Sequence, residues 1–376
     1  MKLYRKVEAH LRIFLLVIIS TLILWFPFLT RQPAWFGLPT KNTDFLTVAK
    51  QYDGPLYIVP AKTFYSPKLI EALRLEQLLP SGYFAAHLPV YPFFIRIFSY
   101  GIGYVKSLLF TNVFFTALLG MVFYEIVRRL KISEHPLLLT AVMMFLPRFL
   151  VVRSAGAPES LFMFLTLGSL YSFEKKHYFV AGLLGGLSAM TKTPGILLFG
   201  GYLLAVGERF MKTRQFEWRW IWLLGIPLGL GSVFFLYAIQ YRDFFAYFHT
   251  GGVVPMSFPY SVFNFQGRWV GTAWLEDIVF YYWLYVATVF TLRRSQYRSF
   301  FYFALVFFGA TLFVQHRDIA RYSLPLWPLA CIAFEKTLTS RKFIVVSILV
   351  IPAIYLFAWN LLLFNLMPIA DWRPFL

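Results

Sequence analysis

The sequence predicts an all-α polytopic membrane protein, and three observations predict it. The composition is 59% hydrophobic and 14% charged, more apolar surface than one soluble core of this length can bury. Long apolar runs recur with basic clusters at their ends, the pattern of bilayer-spanning helices. Lipid offers the backbone no partners, so each segment must close its own hydrogen bonds. Aromatic residues are 21% of the chain, which suits lipid-facing and interfacial surface.

The elements follow from the apolar runs in order. Membrane helices are expected at Leu11–Leu29, Gly103–Val127, Leu137–Val152, Ser160–Phe173, Tyr178–Met190, Pro194–Gly207, Trp220–Gln240, Trp274–Leu292, Phe300–Val314, Tyr322–Glu335 and Phe343–Phe364, about eleven in all. The opening M-K-L-Y-R-K is similar to a signal-peptide n-region. The run after it is long and lacks a small-residue cleavage site, so it reads as the first membrane helix. With the N-terminus in the cytoplasm, the clusters Arg128-Arg129-Lys131, Lys175-Lys176, Arg209/Lys212/Arg214/Arg219, Arg293-Arg294/Arg298 and Lys336/Arg341/Lys342 all fall inside. Merging Tyr178–Met190 with Pro194–Gly207 would send the last three outside, against the positive-inside bias. The +18 net charge is therefore a membrane-topology signal, and no nucleic acid is expected as a partner. The lone Cys331 excludes disulfides. No repeat or soluble domain is evident, so residues 1–376 read as a single membrane domain.

The largest outer segment is the first extracytoplasmic loop, 30–102. It carries Asp44 and Asp53. Asp53 lies in Y-D-G-P, where Gly54-Pro55 makes a turn; it is either a turn-former or a base. Asp44, ahead of an apolar stretch, reads first as an N-cap. Ser66-Pro67 begins an expected interfacial amphipathic helix, Pro67–Leu79, with Leu69, Ile70, Leu73 and Leu78 on one face. Pro89 and Pro92 are expected to break the chain before it re-enters lipid.

Glu159, in A-P-E-S-L-F, is either a dipole-complementing residue in a first helical turn or a second acid at the site. Lys192, Arg317 and Arg321, with His87, His249 and His316, are outer-side basic residues that the orientation bias disfavours. They either snorkel to lipid headgroups or hold a phosphate. Arg317 and Arg321 are spaced to share a helical face. Glu125 with Arg128 and Arg129 reads as an ion pair at helical spacing, and Gly182 to Ala189 as a small-residue packing face. The six His show no metal-ligand spacing. No cofactor is expected, with a divalent metal left open.

Several of these stretches occur in an order that resembles the GT-C superfamily of integral-membrane glycosyltransferases, most nearly its PIG-V-like mannosyltransferase branch. They are Y-D-G-P-L-Y-I-V-P-A-K-T-F-Y (Tyr52 to Tyr65), A-A-H-L-P-V-Y-P-F-F-I-R (Ala85 to Arg96), A-P-E-S-L-F (Ala157 to Phe162), G-L-L-G-G-L-S-A-M-T-K-T-P-G-I-L-L (Gly182 to Leu198) and A-R-Y-S-L-P-L-W-P (Ala320 to Pro328). The departures are His87 in place of an aromatic, Lys192 in place of Arg, Pro158 before Glu159, and Tyr52 where Trp usually precedes the Asp.

The resemblance implies an inverting transfer of a hexose, mannose in that branch. The donor would be a polyprenyl-phosphate sugar and the acceptor a lipid or glycan hydroxyl, on the outer face of the membrane. It implies Asp53 and Glu159 as catalytic residues and Lys192, Arg317, Arg321 and His316 at the donor phosphate. Asp44, His87, Tyr57, Tyr91 and Tyr322 would contact substrate. The alternative reading is a transporter or flippase of lipid-linked sugars.

Overall fold

A computed structural model describes residues 2–75, 79–250, 255–264, 272–316 and 318–376. Among these the chain is 75% helical and has no strand. In order the helices are α1 (Lys2–Leu29), α2 (Phe45–Ala49), α3 (Ile58–Thr63), α4 (Pro67–Ala72), α5 (Val90–Ile102), α6 (Tyr104–Arg129), α7 (Pro136–Met144), α8 (Pro147–Ser154), α9 (Glu159–Glu174), α10 (Tyr178–Ala189), α11 (Leu197–Thr213), α12 (Gly225–Tyr241), α13 (Ala246–His249), α14 (Thr272–Leu292), α15 (Arg298–Thr311), α16 (Ile319–Tyr322), α17 (Trp327–Ala333), α18 (Glu335–Leu338) and α19 (Arg341–Phe364). Among the described residues, five stretches are long and apolar enough to cross a membrane: Val7–Leu29, Tyr104–Arg129, Trp218–Tyr241, Leu275–Leu292 and Arg341–Phe364. The bent pair α7–α8 makes a sixth if it is counted as one span. The residues pack as two compact units, Met1–Phe164 with Glu335–Leu376, and Leu165–Phe334.

In the first unit, α1 is held by polar contacts that lipid could not supply. Trp359 Nε1 of α19 donates to the Leu24 carbonyl at 3.0 Å, and the Tyr355 hydroxyl donates to the Ser20 carbonyl at 3.1 Å. His10 of α1 meets Glu125 of α6 at 3.1 Å, and Glu125 also takes Arg128 and Arg129, each at 2.6 Å. The expected ion pair is present and gains a histidine.

The apolar run expected as one helix over Leu137–Val152 is instead an elbow. Leu146 takes an extended conformation, φ −58° and ψ 128°, ahead of Pro147, the conformation that a following proline imposes. The chain turns through 77° there. Arg153, fully buried, spans the break. Its Nε donates to the Met144 carbonyl at 3.2 Å, Nη1 to Thr21 Oγ1 at 3.2 Å and Nη2 to Ser20 Oγ at 2.8 Å. The guanidinium thus caps a carbonyl at the end of α7 and ties the elbow to α1.

Two further expectations are corrected. The helix expected over Pro67–Leu79 ends at Ala72, and Arg74 has a left-handed φ of +48°. Ile70 is its one buried residue while Leu69 is exposed, and a short helix with so little packing gains too little to propagate. The remainder of the expected helix includes Glu76 and Leu78, outside the described residues. Pro89 and Pro92 start α5 rather than break it, since a first turn needs no proline N–H. Gly103, φ +77°, links α5 to α6, and Phe94 and Phe98 pack edge-on against Phe115 and Phe110 at 4.7 and 4.9 Å.

In the second unit, α10 and α12 approach backbone to backbone. A Cβ on Gly186 would sit 2.5 Å from the Gly225 carbonyl, and one on Gly229 would sit 2.8 Å from Gly186 Cα. The expected small-residue face is there, and only glycine fits it. The chain breaks after α10, and Gly195 returns to pack on the backbone of Ser188 and Ala189. Tyr178–Met190 and Pro194–Gly207 are therefore separate elements.

Candidate functional site

The loop around Asp53 fixes the backbone that carries it. Tyr52 takes a left-handed φ of +51°, uncommon for a bulky residue. Asp53 follows at φ −88°, and Gly54-Pro55 opens a 3₁₀ turn through Tyr57. Gly54 to Tyr57 are buried, while Asp53 is exposed. Gly54 is required: a Cβ there would lie 2.6 Å from the Gly156 carbonyl and 3.3 Å from the Ala49 carbonyl. The turn is thus pinned to a segment three residues ahead of Glu159.

That segment is itself anchored on α6. Asn112 Nδ2 donates to the Val152 carbonyl at 2.6 Å and to the Ala155 carbonyl at 2.5 Å, and Thr116 and Ser160 share a hydrogen bond of 2.7 Å. Glu159 is buried and opens α9, where the helix dipole favours a negative charge.

The Asp53 carboxylate makes no hydrogen bond or ion pair with the described residues. Its charge acts on Tyr83, whose hydroxyl is held above the usual tyrosine range, first by burial and then by the Asp53 charge. Arg148 of α8, 6% exposed, donates from Nη1 to the Tyr52 hydroxyl at 3.3 Å. Neither Arg148 nor Tyr83 was picked out by the sequence. A signal for Arg148 existed, since it stands inside an apolar run where a charge is costly. Tyr83 carried none.

Behind the loop stands an aromatic cluster. The Tyr57 ring meets His87 edge-on at 4.6 Å and Tyr91 at 5.1 Å. Tyr65 donates to the His87 carbonyl at 2.6 Å and Tyr91 to the Leu108 carbonyl at 2.9 Å. Tyr57, His87 and Tyr91 are all buried, so the structure assembles them as a brace beneath the turn. Asp44 is the N-cap of α2: its Oδ1 accepts from Leu46 N at 2.9 Å, and its own N–H donates to Thr47 Oγ1 at 3.2 Å. Gln51, fully buried, donates to the Thr47 carbonyl and to the Leu362 carbonyl of α19 at 2.7 Å. Lys62 donates to the carbonyls of Pro374 and Leu376.

The second unit gathers its own group. The Lys192 ammonium lies 5.4 Å from the centre of the Tyr322 ring, and His316 meets the same ring edge-on at 4.8 Å. Asp318 N donates to His316 Nδ1 at 3.0 Å as the chain enters α16, which carries Arg321 and Tyr322. Lys192, His316, Arg321 and Tyr322 are all half-buried. A cation held by a ring face keeps its charge available to an anion. Arg317 lies outside the described residues, and α16 begins only at Ile319. Thr193 Oγ1 and the Tyr247 hydroxyl are hydrogen-bonded at 2.9 Å beside Lys192. His249 pairs with Asp243 at 2.7 Å.

Among the described residues no group of three or more His, Cys, Asp or Glu side chains could hold a metal ion. The chain matches no protein-family model, and no curated protein matches it.

Proposed function

We propose that the protein is an integral-membrane glycosyltransferase of the GT-C type. It would move a hexose, mannose by resemblance, from a polyprenyl-phosphate donor to an acceptor hydroxyl with inversion. The observation that carries this reading is the Asp53 carboxylate: exposed, without a hydrogen-bond partner among the described residues, and set on a turn pinned by Gly54. A base must keep its lone pairs for the substrate, and a rigid mounting removes the cost of positioning it.

In the proposed step Asp53 takes the acceptor hydroxyl proton as the oxygen attacks the anomeric carbon. The bond from that carbon to the phosphate oxygen breaks on the opposite face, and polyprenyl phosphate leaves with the electron pair. Lys192, Arg317 and Arg321, with His316, stabilise the phosphate as its charge grows. Glu159 shares the base role with Asp53, and the Tyr322 ring faces the Lys192 ammonium.

The membrane arrangement belongs to the same proposal. It has about eleven spans, a cytoplasmic N-terminus, and a first loop carrying Asp53 on the outer face, which is the plasma membrane in a prokaryote. Cysteine substituted at positions 53, 192 and 249 is expected to react with an impermeant maleimide from outside. Labelling of position 192 from the cytoplasmic side would refute the eleven-span topology.

The transfer itself is tested with purified protein, a panel of polyprenyl-phosphate hexoses, and mass detection of the product. A product one hexose heavier than its acceptor is expected with at least one donor. Failure with the whole panel, at intact fold, refutes the activity. Arg321→Ala is expected to weaken donor binding about ten-fold, the worth of one charge-assisted contact, seen as a raised donor KM. An unchanged KM removes Arg321 from the phosphate site.

A further inference from the structure

A cavity rimmed by charged side chains lies within the Leu165–Phe334 unit, at residues that the proposed transfer does not use. Its volume is about 260 Å³. It forms where α9 and α11 end and where α10 and α15 begin. Four cations line it, Lys176, Arg209, Lys212 and Arg298, against two carboxylates, Glu174 and Glu208.

The carboxylates position the cations and are themselves engaged. Glu208 accepts from Arg298 Nε at 2.6 Å and from Lys212 at 2.7 Å. Glu174 Oε1 accepts from Ser299 N at 2.8 Å and Ser299 Oγ at 2.6 Å. Arg209 donates to the Tyr178 hydroxyl at 2.8 Å and pairs with Glu217 at 2.6 Å. The ammonium of Lys176, a residue that is exposed and at φ +60°, has no hydrogen-bond or ion-pair partner among the described residues. The cavity therefore has surplus positive charge and at least one ammonium ready for a ligand.

Its level in the membrane follows from the spans. Trp218–Tyr241 begins beside it, and Leu275–Leu292 ends a few residues before Arg298. Phe216 and Trp218 are 72% and 66% exposed, and Phe216 packs edge-on against Trp220 of the cavity wall. Exposed aromatics alternating with cations at a span terminus mark the headgroup layer.

We propose that this cavity binds a phosphate group, taken from the headgroup of an acidic phospholipid. Guanidinium and ammonium donors suit phosphate oxygens, and the wall of Phe173, Tyr178 and Trp220 suits the glyceryl part of a lipid. A free phosphate would use the same cations but would gain nothing from the exposed aromatics.

The test is native mass spectrometry of the full-length protein with phosphatidylglycerol, phosphatidylcholine or inorganic phosphate added. Wild type is expected to retain phosphatidylglycerol over phosphatidylcholine. Lys176→Gln and Lys212→Gln are each expected to lower that retention about five-fold, while Arg293→Gln with Arg294→Gln leaves it unchanged. Both lysines are exposed, so these variants keep the fold. Equal retention of the two lipids, or retention unaltered in both lysine variants, overturns the lipid site. Saturable inorganic phosphate binding without lipid preference keeps the phosphate chemistry and overturns the lipid source.

Discussion

Under the proposed function, Asp53→Asn is expected to remove nearly all transfer and to leave the protein folded. The substitution keeps the shape of the side chain and removes its basicity. Asp53 is exposed and accepts no hydrogen bond from the described residues, so no stabilising contact is lost. A positioned general base is worth about 10²–10⁴ in rate, which sets the expected loss in kcat. The measurement pairs initial rates with an unfolding curve. A variant that melts like wild type and retains full activity would remove Asp53 from the chemistry. One that loses both would make the residue structural.

Arg153→Ala is expected to cost about 3 kcal/mol of stability through lost packing and orphaned polar groups. Arg153 is fully buried, and its three hydrogen bonds end on a carbonyl at the elbow and on two hydroxyls of α1. Truncation leaves a cavity and strips the Met144 carbonyl of that donor. Arg153→Met, which fills much of the volume, is expected to lose less. Thermal unfolding in detergent ranks the three proteins. An Arg153→Ala protein as stable as wild type would show that the elbow closes without its guanidinium.

The helices were legible because apolar runs are, and each of the eleven expected segments is wholly or mainly helical. The elbow was written in Pro147 and read past, since hydrophobicity continues unbroken across it. The interfacial helix failed in the opposite way. Its pattern was helical, but Leu69 is exposed and Ile70 is the one buried residue of Pro67–Ala72, too little packing to reward a longer helix. Asp53 stood out as an acid in a chain that has few. The close approach of Gly54 to Gly156, which holds it, joins residues more than a hundred apart, and no local pattern announces such a pairing. Asp44 was legible as a cap from its neighbours alone, because a cap is a local interaction.

The elbow also constrains the order in which the chain is assembled. At 1.5 Å per residue, α7 and α8 rise only about 14 and 12 Å, and neither alone crosses a core of about 30 Å. Unpartnered in lipid, Arg153 would add a penalty of about 2.5–3.5 kcal/mol on insertion scales. The hydroxyls that receive it, on Ser20 and Thr21, leave the ribosome first. The earliest helix thus serves as a docking template for a later one. Seating of the elbow in the bilayer becomes an intramolecular docking step, favoured once that template is in place.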